Sequence, residues 1–292
     1  MTGATGRVGY RVLEALADQG AEATAMVRVE AKGLDLPGAA KHVVASFDEP
    51  PPSEVLQDFE KVFLLSPAQE EQAELEIRFI DALVAAGHLP HVVKIAADGF
   101  QDPDCDVRFM RNHREIAVHL GATGLPATYL APSPYMESLL SSAQSVREEA
   151  TIYAPAAHAK VSFVSAGDVA AIAAYALTSA DAADNTYVVT GPEALTYSDV
   201  AARISQVYGR QVAYSSVAER RARQQFQASG MTPWQVDGAL ELFDWIRHGG
   251  TDEVTTDVRE VTGSDPMPLD EWLGEMRVAF LGPPPDLPTD VF

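Results

Sequence analysis

Glycines stand at positions 3, 6 and 9 in the run Met1-Thr2-Gly3-Ala4-Thr5-Gly6-Arg7-Val8-Gly9, directly ahead of an amphipathic stretch. Each can do a different job: Gly3 permits a tight turn, Gly6 lets the backbone approach a ligand, and Gly9 lets a helix pack closely on what precedes it. The N–H groups of that helix's first turn face outward, where a phosphate suits them. The segment from Gly3 through Thr5, Gly6, Arg7 and Val8 to Gly9 is therefore expected to hold a dinucleotide pyrophosphate; the alternative is a glycine turn with no ligand. Arg28 closes the next apolar run, where a carboxylate would meet the 2′-hydroxyl of NAD and an arginine can pair with the 2′-phosphate of NADP. Arg28 thus points to NADP(H), with Lys32 assisting; a solvated arginine is the plainer alternative.

These groups need a scaffold, and the periodicity supplies one. Val12, Leu13 and Leu16 form the stripe of a first helix that ends at Asp18-Gln19-Gly20. Strands are expected at Glu22 to Arg28, His42 to Ala45, Lys61 to Leu65, His91 to Ile95 and Pro126 to Leu130. Helices are expected between them, at Glu70 to Ala86 with Ala73, Ile77, Ile80 and Val84 inward, and at Val107 to Gly121. Strands alternating with helices predict a doubly wound parallel sheet of the Rossmann type, with ligands at the strands' carboxyl ends. Ser66-Pro67 lies at such an end, and Ala96-Ala97 at another.

Past Pro132 the alternation falters: a loop over Pro132 to Met136, a short strand at Val161 to Val164, then helix at Asp168 to Leu177 and strand at Thr186 to Thr190. Thr196 caps a helix with Asp199 three residues on, Val212 to Ser216 is strand-like, and Val236, Leu240 and Phe243 mark a last helix. Residues 1–130 and 166–190 are expected to form the nucleotide-binding domain, and 131–165 and 191–292 a smaller α/β cap. The proline-rich tail from Gly282 to Pro288 is expected to be an extended arm. Only Met1 and Thr2 precede Gly3, so the first strand is truncated or missing. The expectation is that chain lies upstream of Met1, or that another stretch pairs beside Glu22 to Arg28.

Composition narrows the function. With 42 acidic against 21 basic residues the net charge is −21, which disfavours nucleic acid and anionic membranes as partners. A small-molecule substrate is expected instead, and a homodimer stays open. Cys105 is the only cysteine, so no disulfide framework exists and a cytoplasmic home is the simplest expectation. No metal site is expected, since the histidines lack zinc spacing, and no G-x-S-x-G marks a hydrolase. The run Arg220 to Arg223 reads as a solvated helix face.

The chain resembles the NmrA-like branch of the atypical short-chain dehydrogenase/reductases. The resemblance rests on TGATGRVG at Thr2 to Gly9, FLLSP at Phe63 to Pro67, VVKIAADG at Val92 to Gly99 and GLPATYLAP at Gly124 to Pro132, followed by FVSAGDVA at Phe163 to Ala170, YVVTGPEALTYSDVA at Tyr187 to Ala201 and TTDVREVTG at Thr255 to Gly263. It implies NADP(H) with its pyrophosphate on Gly3 to Gly9, its 2′-phosphate near Arg28, and its nicotinamide beside Leu65, Ser66, Pro67, Ala96 and Ala97. An aspartate usual after the third strand, in contact with adenine, is here Ser46, and an arginine common before Pro132 is Ala131. The tyrosine–lysine acid pair of short-chain reductases is absent, and the resemblance places His113 where isoflavone-reductase-like cousins carry a catalytic lysine, so that it either donates a proton near neutral pH or is a partly exposed helix histidine with no role. Lys94, inside a strand, is expected to be paired rather than catalytic. Two functions follow. One is an NADPH-dependent reductase of a small quinone or conjugated carbonyl, with substrate against Tyr135, Met136, Phe163 and Trp234; the other is an NADP(H)-binding sensor without turnover.

Overall fold

The computed structural model describes residues 1–34 and 36–282, so the expected extended arm lies, apart from Gly282, outside the described residues. The chain divides into two units. The first comprises Met1–Pro132, Ala166–Val189 and Thr256–Ser264; the second comprises Ser133–Ser165, Thr190–Thr255 and the segment from Asp265 onward.

In the first unit α1 (Arg7–Asp18), β1 (Ala23–Val27), β2 (Ala39–Val44), α2 (Ser53–Leu56), β3 (Lys61–Leu64), α3 (Gln72–Ala85), β4 (His91–Ile95), α4 (Arg108–Ala122) and β5 (Ala127–Pro132) follow in order. The second unit then contributes α5 (Ala143–Glu149), β6 (Thr151–Ala154) and β7 (Lys160–Val161). The chain returns to the first unit for α6 (Ala166–Thr178) and β8 (Thr186–Val189). In the second it forms β9 (Leu195–Thr196), α7 (Tyr197–Tyr208), β10 (Ala213–Ser216), α8 (Glu219–Ala228) and α9 (Pro233–Arg247). After α10 (Asp257–Thr262) in the first unit, α11 (Leu269–Glu275) and α12 (Arg277–Leu281) belong to the second.

The strands of the first unit are parallel, in the order β3-β4-β5-β8, with β1-β2 as a separate pair. Between the two pieces lie Met1 and Thr2. Met26 N–H donates to Met1 O at 2.8 Å, and Thr2 N–H donates to Phe63 O at 3.0 Å. Where a longer strand would carry the ladder on, the Thr2 hydroxyl substitutes: it accepts from Leu65 N–H at 2.8 Å and donates to Leu65 O at 2.9 Å. A two-residue stub and one side chain thus satisfy backbone groups that would otherwise be buried without partners.

All five residues of β4 are buried, as expected for a strand covered on both faces. Val62, Leu64 and Val92 join Phe79, Ile80, Leu83, Ile116 and Leu120 in one core under α3 and α4. The alanine-rich α6 packs against α1 and against the other side of β3, β4 and β5. The segment 256–264, expected in the cap, belongs to the first unit: α10 packs on α6, and Val188 N–H of β8 donates to Asp257 Oδ2 at 2.7 Å. The inward face of α3 is rotated from expectation. Gln72, Ala73, Glu76, Phe79, Ile80 and Leu83 are buried, whereas Val84 is 39% exposed.

In the second unit β6 pairs with β10 in parallel and β7 with β9 antiparallel. The short strand expected to run to Val164 stops at Val161, because Ser162 N–H is taken by Thr251 O at 2.9 Å, and Val164 forms only a bridge with Tyr135. Thr196 and Asp199 make the reciprocal capping box, and Thr232 with Gln235 makes a second one ahead of Pro233. The core gathers Ile152, Phe163, Tyr197, Ile204, Trp272 and Phe280. Among the described residues no helix is long and apolar enough to cross a membrane.

Candidate functional site

At the carboxyl ends of β1, β2 and β3 the first unit opens a cleft of about 330 Å³, lined by Gly3, Thr5, Gly6, Arg28, Ser46, Leu65, Ser66 and Pro67 together with Met26, Phe47, Asp48, Gln69 and Leu75. The glycine turn forms one wall. Gly3 has φ +62°, and a Cβ there would lie 2.9 Å from Leu65 O. A Cβ on Gly9 would lie 2.2 Å from Gly3 O, so α1 can begin this close to the turn only with glycine at position 9. Gly6 is the N-cap of α1 and provides no side chain to satisfy the first-turn N–H groups. Arg7 and Val8 open the helix and, like Gly9, stand outside the cleft lining.

Arg28 is exposed at the cleft wall, without an ion-pair partner among the described residues. The nearby carboxylates are engaged elsewhere. Glu30 pairs with His42 at 2.8 Å and Asp48 with Arg78 at 3.1 Å. Asp48 is nonetheless a cleft residue that sequence reasoning missed, as is Phe47, whose ring meets Phe79 edge-on at 5.6 Å. Both follow β2 at its carboxyl end, directly after Ser46, so the strand-end position could have found them. Ser46 Oγ accepts from Glu49 N–H at 3.1 Å.

Beneath the wall lies a cluster of buried polar side chains. Ser66 Oγ donates to Glu76 Oε1 at 2.6 Å, and Lys94 Nζ stands 3.1 Å from Oε1 and 2.8 Å from Oε2 of the same carboxylate. The hydrogen-bond direction of Lys94 is toward Oε1, and the closer approach to Oε2 is ionic. Glu76 and Lys94 are 0% and 1% exposed. Lys94 also donates to Ile95 O, and Gln72 Nε2 reaches Glu76 Oε1 at 3.5 Å. Burial lowers the Lys94 pKa from the ordinary lysine value, and Glu76 opposes that shift. Lys94 is thus paired, as its place in a strand implied.

His113 does not fit the role of a proton donor near neutral pH. Burial, and then the Lys94 charge, hold its imidazole well below the usual histidine range, so it is neutral at pH 7. Its Nδ1 has no hydrogen-bond partner among the described residues, and it does not line the cleft. Ala96 and Ala97 do not line it either; Ala96 N–H donates to Leu130 O at 2.7 Å. In the second unit Met136 and Phe163 are taken up by the core, Phe163 lying edge-on to Tyr197 with ring centres 5.7 Å apart. Trp234 is half-buried in the first turn of α9. The Tyr135 hydroxyl is buried without a hydrogen-bond partner among the described residues, and burial, followed by the Glu137 charge, raises its pKa. The arginine run is more than a solvated face: Arg221 stacks 4.3 Å over the Tyr153 ring, and Arg223 pairs with Asp237 at 2.6 Å.

Compared with known proteins, residues 1–273 match the model of the NmrA-like family. The chain belongs to that family. It is 30% identical to the NAD(P)H azoreductase of Xenophilus azovorans, over 96% of this chain and 98% of that protein. It is also 30% identical to a (4-alkanoyl-5-oxo-2,5-dihydrofuran-3-yl)methyl phosphate reductase of Streptomyces griseus subsp. griseus, again over 96% and 98%. Its fold matches the NADPH complex of the NADPH-dependent quinone oxidoreductase QOR2 of Escherichia coli, with a TM-score of 0.85 at 24% identity over 94% of this chain and 98% of that one.

Proposed function

We propose that the first unit binds NADP(H) in the cleft and that the protein is an NADPH-dependent reductase of a small quinone or conjugated carbonyl compound. The observation that carries this reading is the glycine wall: a left-handed Gly3, a Gly9 with no room for a Cβ, and the uncapped first turn of a twelve-residue helix beside Arg28, which has no ion-pair partner among the described residues. Backbone N–H groups of that turn suit a pyrophosphate, and the Arg28 guanidinium suits a 2′-phosphate. The net charge of −21 gives no general attraction for an anion, so binding rests on these local groups. The names of the azoreductase and QOR2 relatives support a reductase of electron-poor, conjugated acceptors. Bound NADPH would supply the hydride. Phe47 and Met26 give the cleft lining apolar side chains. Because His113 is neutral and buried, a reduced quinone would draw its protons from solvent.

That same observation on His113 favours a second reading, an NADP(H) sensor without turnover. Fluorescence titration with NADPH, followed by NADPH oxidation against quinones, enones and azo compounds, separates the two. Binding with turnover is the expected result. Binding without turnover on any acceptor selects the sensor, and failure to bind NADPH contradicts both.

A further inference from the structure

We infer that Ser66 meets the bound cofactor only as a hydrogen-bond acceptor, for an N–H or O–H donor, and that buried Glu76 and Lys94 are positioning residues that make it so. This rests on the reading of the cleft as the cofactor site. A serine hydroxyl carries one proton, and that of Ser66 goes to Glu76 Oε1 at 2.6 Å, the short distance of a charge-assisted bond. The direction is fixed by the neighbours. Lys94 Nζ and Gln72 Nε2 can only donate, and both converge on that same oxygen, so Glu76 Oε1 is an acceptor and the shared proton belongs to Ser66. What Ser66 offers the cleft is lone pairs.

Ser46, on the same cleft, has the opposite arrangement: its Oγ accepts from Glu49 N–H, which leaves its proton free to donate. The two serines therefore give the cleft a direction, with a donor where β2 ends and an acceptor where β3 ends. A dinucleotide has groups to match. The nicotinamide carboxamide and the ribose hydroxyls are donors, and ring nitrogens and phosphates are acceptors. A buried ion pair is an expensive way to fill a core, since apolar side chains of similar volume are often as stable. Holding one hydroxyl proton away from a ligand is something such side chains could not do.

The test compares NADPH with its acetylpyridine analogue, which lacks the carboxamide N–H2, by fluorescence titration of the whole protein. One net hydrogen bond predicts that the parent favours NADPH about three- to tenfold. Ser66→Ala should erase that preference and Ser46→Ala should keep it. The double variant Glu76→Met with Lys94→Met, which keeps volume without burying a lone charge, should erase it too by freeing the Ser66 proton. A melting curve checks that the double variant is folded, and Ser66→Ala stands by itself if it is not. If Ser66→Ala weakens both ligands alike, the donor is a ribose hydroxyl provided the double variant weakens both as well; a double variant that binds both as the parent does overturns the inference. If Ser66→Ala changes neither affinity, it is overturned.

A second readout needs no cofactor. The Ser66 hydroxyl proton should appear by NMR as a slowly exchanging resonance, absent from Ser66→Ala and from the double variant. Its absence in the parent overturns the assignment of the proton. Its presence in a protein that fails to bind NADPH would sink the cofactor reading, and the recognition of a ligand donor with it, while leaving the proton where it is placed here.

Discussion

The glycine wall of the cleft and the polar cluster beneath it do their work by different means. The wall is backbone: Gly3, Gly6 and Gly9 matter for the side chains they lack, and the seven residues of continuous chain from Gly3 to Gly9 make the feature. The cluster is side chain: Ser66, Glu76, Lys94 and His113 come from the end of β3, from α3, from β4 and from α4, and only folding unites them. A local backbone feature tolerates no added atoms and needs no partner. A distributed side-chain feature tolerates a change of volume but fails when one member is removed alone.

That contrast can be broken most forcefully at Lys94. Lys94→Met leaves Glu76 buried without its cation and should cost about 3–5 kcal/mol, whereas Lys94→Met combined with Glu76→Met should lie close to the parent. Denaturant unfolding measures both, and equal losses in the single and double variants would contradict an energetically coupled pair. The wall should respond in the opposite manner. Gly9→Ala places a methyl 2.2 Å from Gly3 O unless the backbone shifts, and overpacking of this kind costs about 1–3 kcal/mol. No second-site change in a side chain should restore NADPH binding, because the obstacle is backbone.

The smallest effect concerns His113. Its folded pKa is lowered, so between that value and about 6.5, where an unfolded histidine titrates, the unfolded state binds more protons. Stability is therefore complete above about pH 6.5 and declines as pH falls below it, by at most about 1.4 kcal/mol per pH unit from this group. His113→Phe should flatten that part of the profile. It should leave quinone turnover between pH 7 and 8 unchanged, and a loss of turnover there would return His113 to the mechanism.

The same contrast explains what could be read in the sequence. Strand and helix alternation placed β4 at its observed ends, and the Thr196–Asp199 box marked the start of α7. The glycine turn was legible because its physics is local. Glu76 was not, because the apolar spacing of α3 fits two faces. Ala73, Ile77, Ile80 and Val84 form a credible stripe, and only the buried Lys94 opposite favours the face that carries Glu76. Met136 and Phe163 misled for a related reason: apolar side chains near a loop serve a core as well as a substrate, and here the core of the second unit holds them. Residues past β2 were read at Ser46 alone, although Phe47 and Asp48 share the same strand end.

The central claim is that this cleft holds NADP(H) through the glycine wall and Arg28, and Arg28→Ala titrated with NADPH and NADH side by side tests it most directly. Losing a charge-assisted pair costs about 1.5–3 kcal/mol, so NADPH should bind the variant roughly ten- to hundredfold more weakly while NADH affinity stays put. Equal loss for both cofactors, or no loss for either, would contradict the account.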